Sequence, residues 1–172
     1  MLKKHIESLN RVQTSLSRNI EKGIILDRNE RVDVFDKNTF KKIINSISQY
    51  SLSATPDVTT LYEKIAKYHG LKKNNIYITQ GITECMSHII FSIIKKNDEV
   101  IILDPTYPMY KVLCKLHNAK YKLWKFNKEL KLNIEDLKKL ITKKTKILFM
   151  VNPNLPIEYE FSETYKNEIY KI

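Results

Sequence analysis

The sequence predicts an α/β fold, a mainly parallel sheet with flanking helices, and two observations carry that expectation. From residue 76 onward, short apolar runs alternate with stretches of helical periodicity: 76–79, 99–103, 120–125 and 147–151 read as strands, and 82–94, 107–117 and 134–141 as helices. The run 147–151, Ile-Leu-Phe-Met-Val, is apolar throughout, as a strand covered on both faces requires. Such sheets collect ligands at the carboxyl ends of their strands.

Upstream, residues 1–23 read as an N-terminal arm or weak helix, polar with scattered apolar positions over 3–18, and 24–172 as the domain. Ile24-Ile-Leu26 is a short extended run. Over 39–48, Phe40, Ile43, Ile44 and Ile47 recur at helical spacing and predict a helix with one buried face. Residues 50–57 are turn-rich and end in Thr55-Pro-Asp57, an entry to a helix over 58–68 with Leu61, Ile65 and Tyr68 on one side. Gly70 stands where a C-terminal cap glycine is expected.

Composition bounds the function. One domain is the default for 172 residues, and 42% hydrophobic residues suffice for a core. A net charge of +11 raises the possibility of nucleic acid. The distribution argues against it: only Arg11, Arg18, Arg28 and Arg31 are arginines, and the lysines are spread along the chain rather than clustered. Cys85 and Cys114 both fall in predicted helices, which fits a reducing cytosol better than a disulfide framework. Ile89-Ile-Phe-Ser-Ile-Ile94 is far short of the roughly 20 residues of a membrane span. Met1-Leu-Lys-Lys-His-Ile-Glu-Ser lacks the apolar core of a signal peptide. A cytoplasmic chain is expected, with no nucleic-acid and no membrane partner.

Three places carry candidate chemistry. Ile76-Tyr-Ile-Thr-Gln-Gly-Ile-Thr-Glu84 turns at Gly81 from a predicted strand straight into a helix. Unobstructed N–H groups and the helix dipole suit a phosphate there, and Thr83 can add a hydroxyl; an ordinary strand-to-helix turn would read the same way. Asp104-Pro-Thr-Tyr-Pro-Met-Tyr110 sets Tyr107 just past a strand end, either as a face for a flat ring or as a core tyrosine, with Tyr110 a packing or substrate-contact residue. Asn152-Pro-Asn-Leu-Pro156 follows the apolar strand; its amides can donate to an anionic oxygen, or it simply closes the strand. His5, His69, His88 and His117 have no metal-ligand spacing, so no metal is expected. Asp98-Glu99 and Glu135-Asp136 are sequence neighbours that do not face each other as a carboxylate pair. Neither a nucleophile elbow nor a Walker-type loop is found.

The order of these pieces resembles the fold-type I enzymes that use pyridoxal 5'-phosphate (PLP), in particular the histidinol-phosphate aminotransferase branch of class I/II. The matching segments run in family order: Leu26-Asp-Arg-Asn-Glu30, Tyr50, Leu61-Tyr-Glu-Lys-Ile-Ala-Lys-Tyr-His-Gly70, Thr79-Gln-Gly-Ile-Thr-Glu84, Asp98 to Tyr110, and Lys144-Thr-Lys-Ile-Leu-Phe-Met-Val-Asn-Pro-Asn154. The resemblance implies part of a PLP-dependent transferase large domain. It implies that Gly81, Ile82 and Thr83 hold the phosphate of PLP and that Tyr107 stacks on its ring. Tyr50 would reach the cofactor of a partner subunit, Asn152 and Asn154 would lie by the cofactor, and Asn29 and Glu30 would lie near the substrate.

Two departures accompany the resemblance. The family reads Asn-Pro-Asn-Asn-Pro-Thr-Gly where this chain has Asn152-Pro-Asn-Leu-Pro-Ile-Glu158, so Leu155 replaces the asparagine that bonds the phenolic oxygen of the cofactor. No lysine stands in the context of the family's Schiff-base lysine, so no catalytic residue is assigned. The resemblance thus implies an amino-group transfer between an amino acid and a 2-oxo acid, in a homodimer or paired with a missing C-terminal half. The chain itself is expected to be an N-terminal fragment, inactive alone. The alternative is a non-catalytic binding or interaction protein.

Overall fold

The computed structural model describes Ile6, Leu9, Arg31 and residues 33–172. The rest of the predicted arm, the run Ile24-Ile-Leu26 and the expected substrate residues Asn29 and Glu30 lie outside the described residues. Residues 33–78 and residues 79–172 belong to two different compact units.

In the first unit, helix α1 (Lys37–Ser46) begins at Asp36, whose carboxylate accepts the N–H groups of Asn38 and Thr39, each at 3.0 Å. The bonds from Thr39 are the main reason the Asp36 pKa lies below its ordinary value. The stripe Phe40, Ile43, Ile44 and Ile47 is present but exposed, contrary to the predicted buried face. A helix buries its stripe only against another element, and Ala66 is the one buried residue described in this unit. The segment read as turn-rich contains a short helix, α2 (Gln49–Ser53), closed by reciprocal bonds between Ser48 and Ser51. Helix α3 (Thr59–Tyr68) starts where Thr55-Pro-Asp57 predicts it, with Thr59 donating to the Asp57 carboxylate at 2.9 Å. It ends at Gly70, with φ +65° and Leu71 donating back to the Ala66 carbonyl at 2.9 Å, so the expected glycine cap is present. A 3-10 turn (Lys73–Asn75) follows.

The strand predicted over 76–79 is not formed. Among the described residues no strand pairs with it, and a strand exists only through its ladder. Ile76 instead donates to the Lys73 carbonyl at 3.1 Å and Ile78 to the Tyr62 hydroxyl at 3.3 Å. Tyr77 is 66% exposed.

In the second unit, helix α4 (Ile82–Ile93) leads into β1 (Glu99–Asp104), whose residues Val100 to Leu103 are all buried. A strand with apolar residues on both faces must be central. After β1, helix α5 (Met109–Leu116) starts later than predicted, since the ring of Pro108 disfavours a helical conformation at Tyr107, and Pro108 is itself the N-cap residue. Strand β2 (Lys120–Lys125) pairs parallel to β1, helix α6 (Ile134–Leu140) follows, and β3 (Thr145–Phe149) pairs parallel to the other side of β1. The order is β2-β1-β3, the parallel sheet with flanking helices that the sequence predicts. A last helix, α7 (Glu163–Ile169), was not predicted.

The β1 side chains alternate between two cores. Val100 and Ile102 pack with Met86 and Ile90 of α4, and with Tyr110, Leu113 and Cys114 of α5. Ile101 and Leu103 pack with Trp124, Leu137, Phe161 and Ile169 on the opposite face. Each such fully buried aliphatic side chain contributes about 1.5–3 kcal/mol. With both faces covered, the loops after β1 and β3 leave the same end of the sheet from adjacent strands.

Candidate functional site

At the start of α4, Gly81 is the N-cap residue, with φ 82° and ψ 177°, a conformation that residues with a Cβ avoid. A Cβ built there would meet nothing within 4 Å, so the backbone angle and not crowding calls for glycine. Upstream, Gly81 donates to the Thr79 carbonyl at 2.8 Å and the Thr79 hydroxyl donates to the Gly81 carbonyl at 3.0 Å, which fixes the turn. The Glu84 carboxylate accepts the Gln80 N–H at 2.5 Å. The first helical bond is Cys85 N–H to the Gly81 carbonyl at 3.3 Å. That leaves the N–H groups of Ile82, Thr83 and Glu84 with no acceptor inside the helix. They converge at the positive end of a 12-residue helix dipole.

Past β1, Tyr107 is 41% exposed, and its ring stands at 89° to that of Tyr110 with centroids 6.3 Å apart. Tyr110 is buried in the core beneath. Burial raises its pKa first, with the neighbouring Tyr107 and Cys85 adding to the effect. Tyr110 packs in the same core as Met86 and Ile90 of α4, beneath the loop of Tyr107. Also at the strand end, Lys111 pairs with Asp104 at 2.5 Å.

Past β3, Asn152 is exposed, and its side-chain oxygen accepts the Phe161 N–H at 2.9 Å. Asn154 is 0% exposed. Its Nδ2 donates to the Pro105 carbonyl at 3.0 Å, and its Oδ1 accepts the Thr106 hydroxyl at 2.6 Å. Leu155 is 47% exposed. In the other unit, Tyr50 lies on α2 and is 80% exposed.

The described residues thus suit an anionic group at Gly81, Ile82 and Thr83, and an aromatic ring at Tyr107. They supply no hydrogen-bond donor at Leu155 for a phenolic oxygen. No group of three or more potential metal ligands exists among the described residues. The sequence alone does not mark Thr106 or Glu84 as functional. Both stand inside quoted motifs, and a glutamate at the third helical position was the available signal for Glu84.

Residues 23–157 match the family model of aminotransferase class I and II. Histidinol-phosphate aminotransferase of Methanococcus maripaludis is 33% identical over 139 residues, which is 79% of this chain and 38% of that protein. The chain therefore spans well under half the length of the curated relative it matches. Among solved structures, tyrosine aminotransferase from Leishmania infantum superposes with a TM-score of 0.66 at 17% identity, over 78% of this chain and 40% of that one. A PLP-dependent aminotransferase from Streptococcus suis gives 0.63 at 25% identity, over 78% of this chain and 36% of that one. With these segments in this order and the parallel sheet that presents them, the chain belongs to the class I and II aminotransferases.

Proposed function

We propose that this chain supplies the cofactor-binding part of a PLP-dependent aminotransferase of the histidinol-phosphate aminotransferase type, moving an amino group between an amino acid and a 2-oxo acid. The observation that carries the reading is the open N-terminus of α4, where the N–H groups of Ile82, Thr83 and Glu84 follow the left-handed Gly81. PLP, when bound, supplies the electron sink for the chemistry. The residues of the chain bind and orient it. The Gly81-Ile82-Thr83 turn takes the phosphate, with the Thr83 hydroxyl as a further donor. Tyr107 presents its ring face, and the exposed amide of Asn152 lies toward the cofactor. Asn154, with both side-chain atoms taken, contributes through position. Tyr50 extends toward the cofactor of a partner subunit in a homodimer, and Asn29 and Glu30 serve the substrate.

The 172 residues include no lysine in the family's catalytic context. By this reading the chain binds the cofactor but does not turn over until residues equivalent to the rest of its relatives' length join it, in the cytoplasm. The test is an absorbance titration of the purified chain with PLP, followed by addition of an amino donor. Saturable binding without amino-group transfer is expected. Absence of saturable binding would remove the cofactor reading, and sustained transfer by the 172 residues alone would remove the claim that they need a complement.

A further inference from the structure

We infer that Asn154 is a positioning residue that, through Thr106, holds Tyr107 at the carboxyl end of the sheet; as a role in cofactor binding this rests on the reading above. Asn154 is 0% exposed, the one buried polar residue in the described core. A fully buried carboxamide needs both a donor and an acceptor. It finds them on two consecutive residues of another loop: Nδ2 donates to the Pro105 carbonyl at 3.0 Å, and the Thr106 hydroxyl donates to Oδ1 at 2.6 Å. The two loops are 48 residues apart in sequence and meet because β1 and β3 are adjacent and parallel.

Asn154 is itself anchored. Its N–H donates to the Tyr159 carbonyl at 2.8 Å, and the two residues form an antiparallel bridge. The Tyr159 ring packs edge-on against Phe126 and Phe161, with centroids 5.3 and 5.1 Å away. On the other side of the clamp, one peptide unit separates Thr106 from Tyr107. The Tyr107 carbonyl then accepts the Tyr110 N–H at 3.3 Å, so the clamp continues into the first turn of α5. Only a carboxamide offers a donor and an acceptor in this geometry; a carboxylate would face the Pro105 carbonyl with no proton to give.

The experiment compares Thr106→Val, Thr106→Ser and Asn154→Ala by amide hydrogen exchange in the free chain, with PLP affinity measured in parallel. Loss of the clamp is expected to speed exchange at Tyr110, Lys111 and Val112 by about tenfold or more in Thr106→Val and Asn154→Ala, as for a lost buried hydrogen bond. Thr106→Ser keeps the hydroxyl and is expected to match the wild type, and protection in β1 and β2 is expected to persist in all three. If PLP binds, its dissociation constant should rise severalfold in Thr106→Val but not in Thr106→Ser. Equal exchange in the valine and serine variants would overturn the inference. So would protection lost uniformly through the sheet, because the residue would then hold the fold and not the loop. A wild-type chain that fails to bind PLP sinks the proposed function, while the exchange data still decide whether Asn154 holds the loop.

Discussion

Ser87 Oγ and His117 Nε2 lie 2.7 Å apart, a bond that ties the middle of α4 to the residue capping the end of α5. The Phe91 ring leans over the imidazole with centroids 6.1 Å apart. Asn118, with φ 54°, then turns the chain so that Ala119 donates back to the Cys114 carbonyl at 2.8 Å, and β2 begins at Lys120. His117 therefore sits at the joint where α5 is fastened to its neighbour and turned into the sheet.

That joint should make stability depend on pH. Burial lowers the His117 pKa below its ordinary value of 6.5. Between the folded pKa and 6.5 the unfolded chain binds more protons than the folded one, so stability rises with pH through that window and is flat above it. Read downward, acid below the ordinary histidine pKa weakens the fold. Lowering the pH from about 7.5 to about 5.5 should reduce the denaturant midpoint more in the wild type than in His117→Gln, which cannot titrate there. The carboxylates whose pKa values are lowered, Asp36, Asp57 and Glu99, titrate below this range and should not confuse the comparison. Equal falls in the two proteins would show that His117 does not carry the dependence.

Gly81→Ala tests the α4 turn. No atom stands where the new methyl would go, so the cost is conformational: about 1–3 kcal/mol for holding a non-glycine residue at φ 82° and ψ 177°. The thermal midpoint should fall accordingly. If the N–H groups of residues 82–84 hold a phosphate, affinity for PLP should fall together with affinity for inorganic phosphate as competitor. A midpoint lowered with both affinities intact would separate the turn from the site.

The second unit was legible in its sequence because its elements obey their own local rules. The expected range of β2 is the observed one, and those of α4 and α6 differ from it by a residue, because their apolar positions keep the period of the structure they adopt. α7 escapes the periodicity although Ser162 caps it, because its only apolar positions are Tyr165 and Ile169, whereas the equally short α6 carries Ile134, Leu137 and Leu140 on one side. The segment 76–79 failed for a different reason: Ile-Tyr-Ile-Thr has strand character, but pairing depends on a neighbour that local sequence does not reveal. The same limit applies to the site. Gly81 and Tyr107 stand out in their own loops, whereas the bond from Thr106 to Asn154 follows from strand order and could not be read from either segment alone.

The two cysteines should differ sharply toward a thiol reagent. Cys114 is 0% exposed, and burial pushes its thiol up to about 12, so almost none of it is thiolate near neutrality. Cys85 is half-buried in the first turn of α4. One thiol per chain should react in the native protein, with peptide mapping placing it at Cys85, and the second only after unfolding. Saturating PLP should slow the reaction at Cys85 if the cofactor lies over that turn.

Leu155→Asn probes the departure from the family pattern directly. Leu155 is 47% exposed, so replacing it removes little buried apolar surface, and stability should change by about 0.5 kcal/mol or less. The new carboxamide would stand one residue beyond Asn154, whose backbone and side chain are both fixed by Tyr159, Pro105 and Thr106. A donor on so constrained a backbone loses little freedom when it binds, and a hydrogen bond to a charged oxygen contributes about 1.5–3 kcal/mol. PLP affinity should therefore rise about tenfold or more in Leu155→Asn, with no gain in Leu155→Ala, which removes the bulk without adding a donor. If alanine improves binding as much as asparagine, the leucine was obstructing the site, and the missing donor is not what limits cofactor binding.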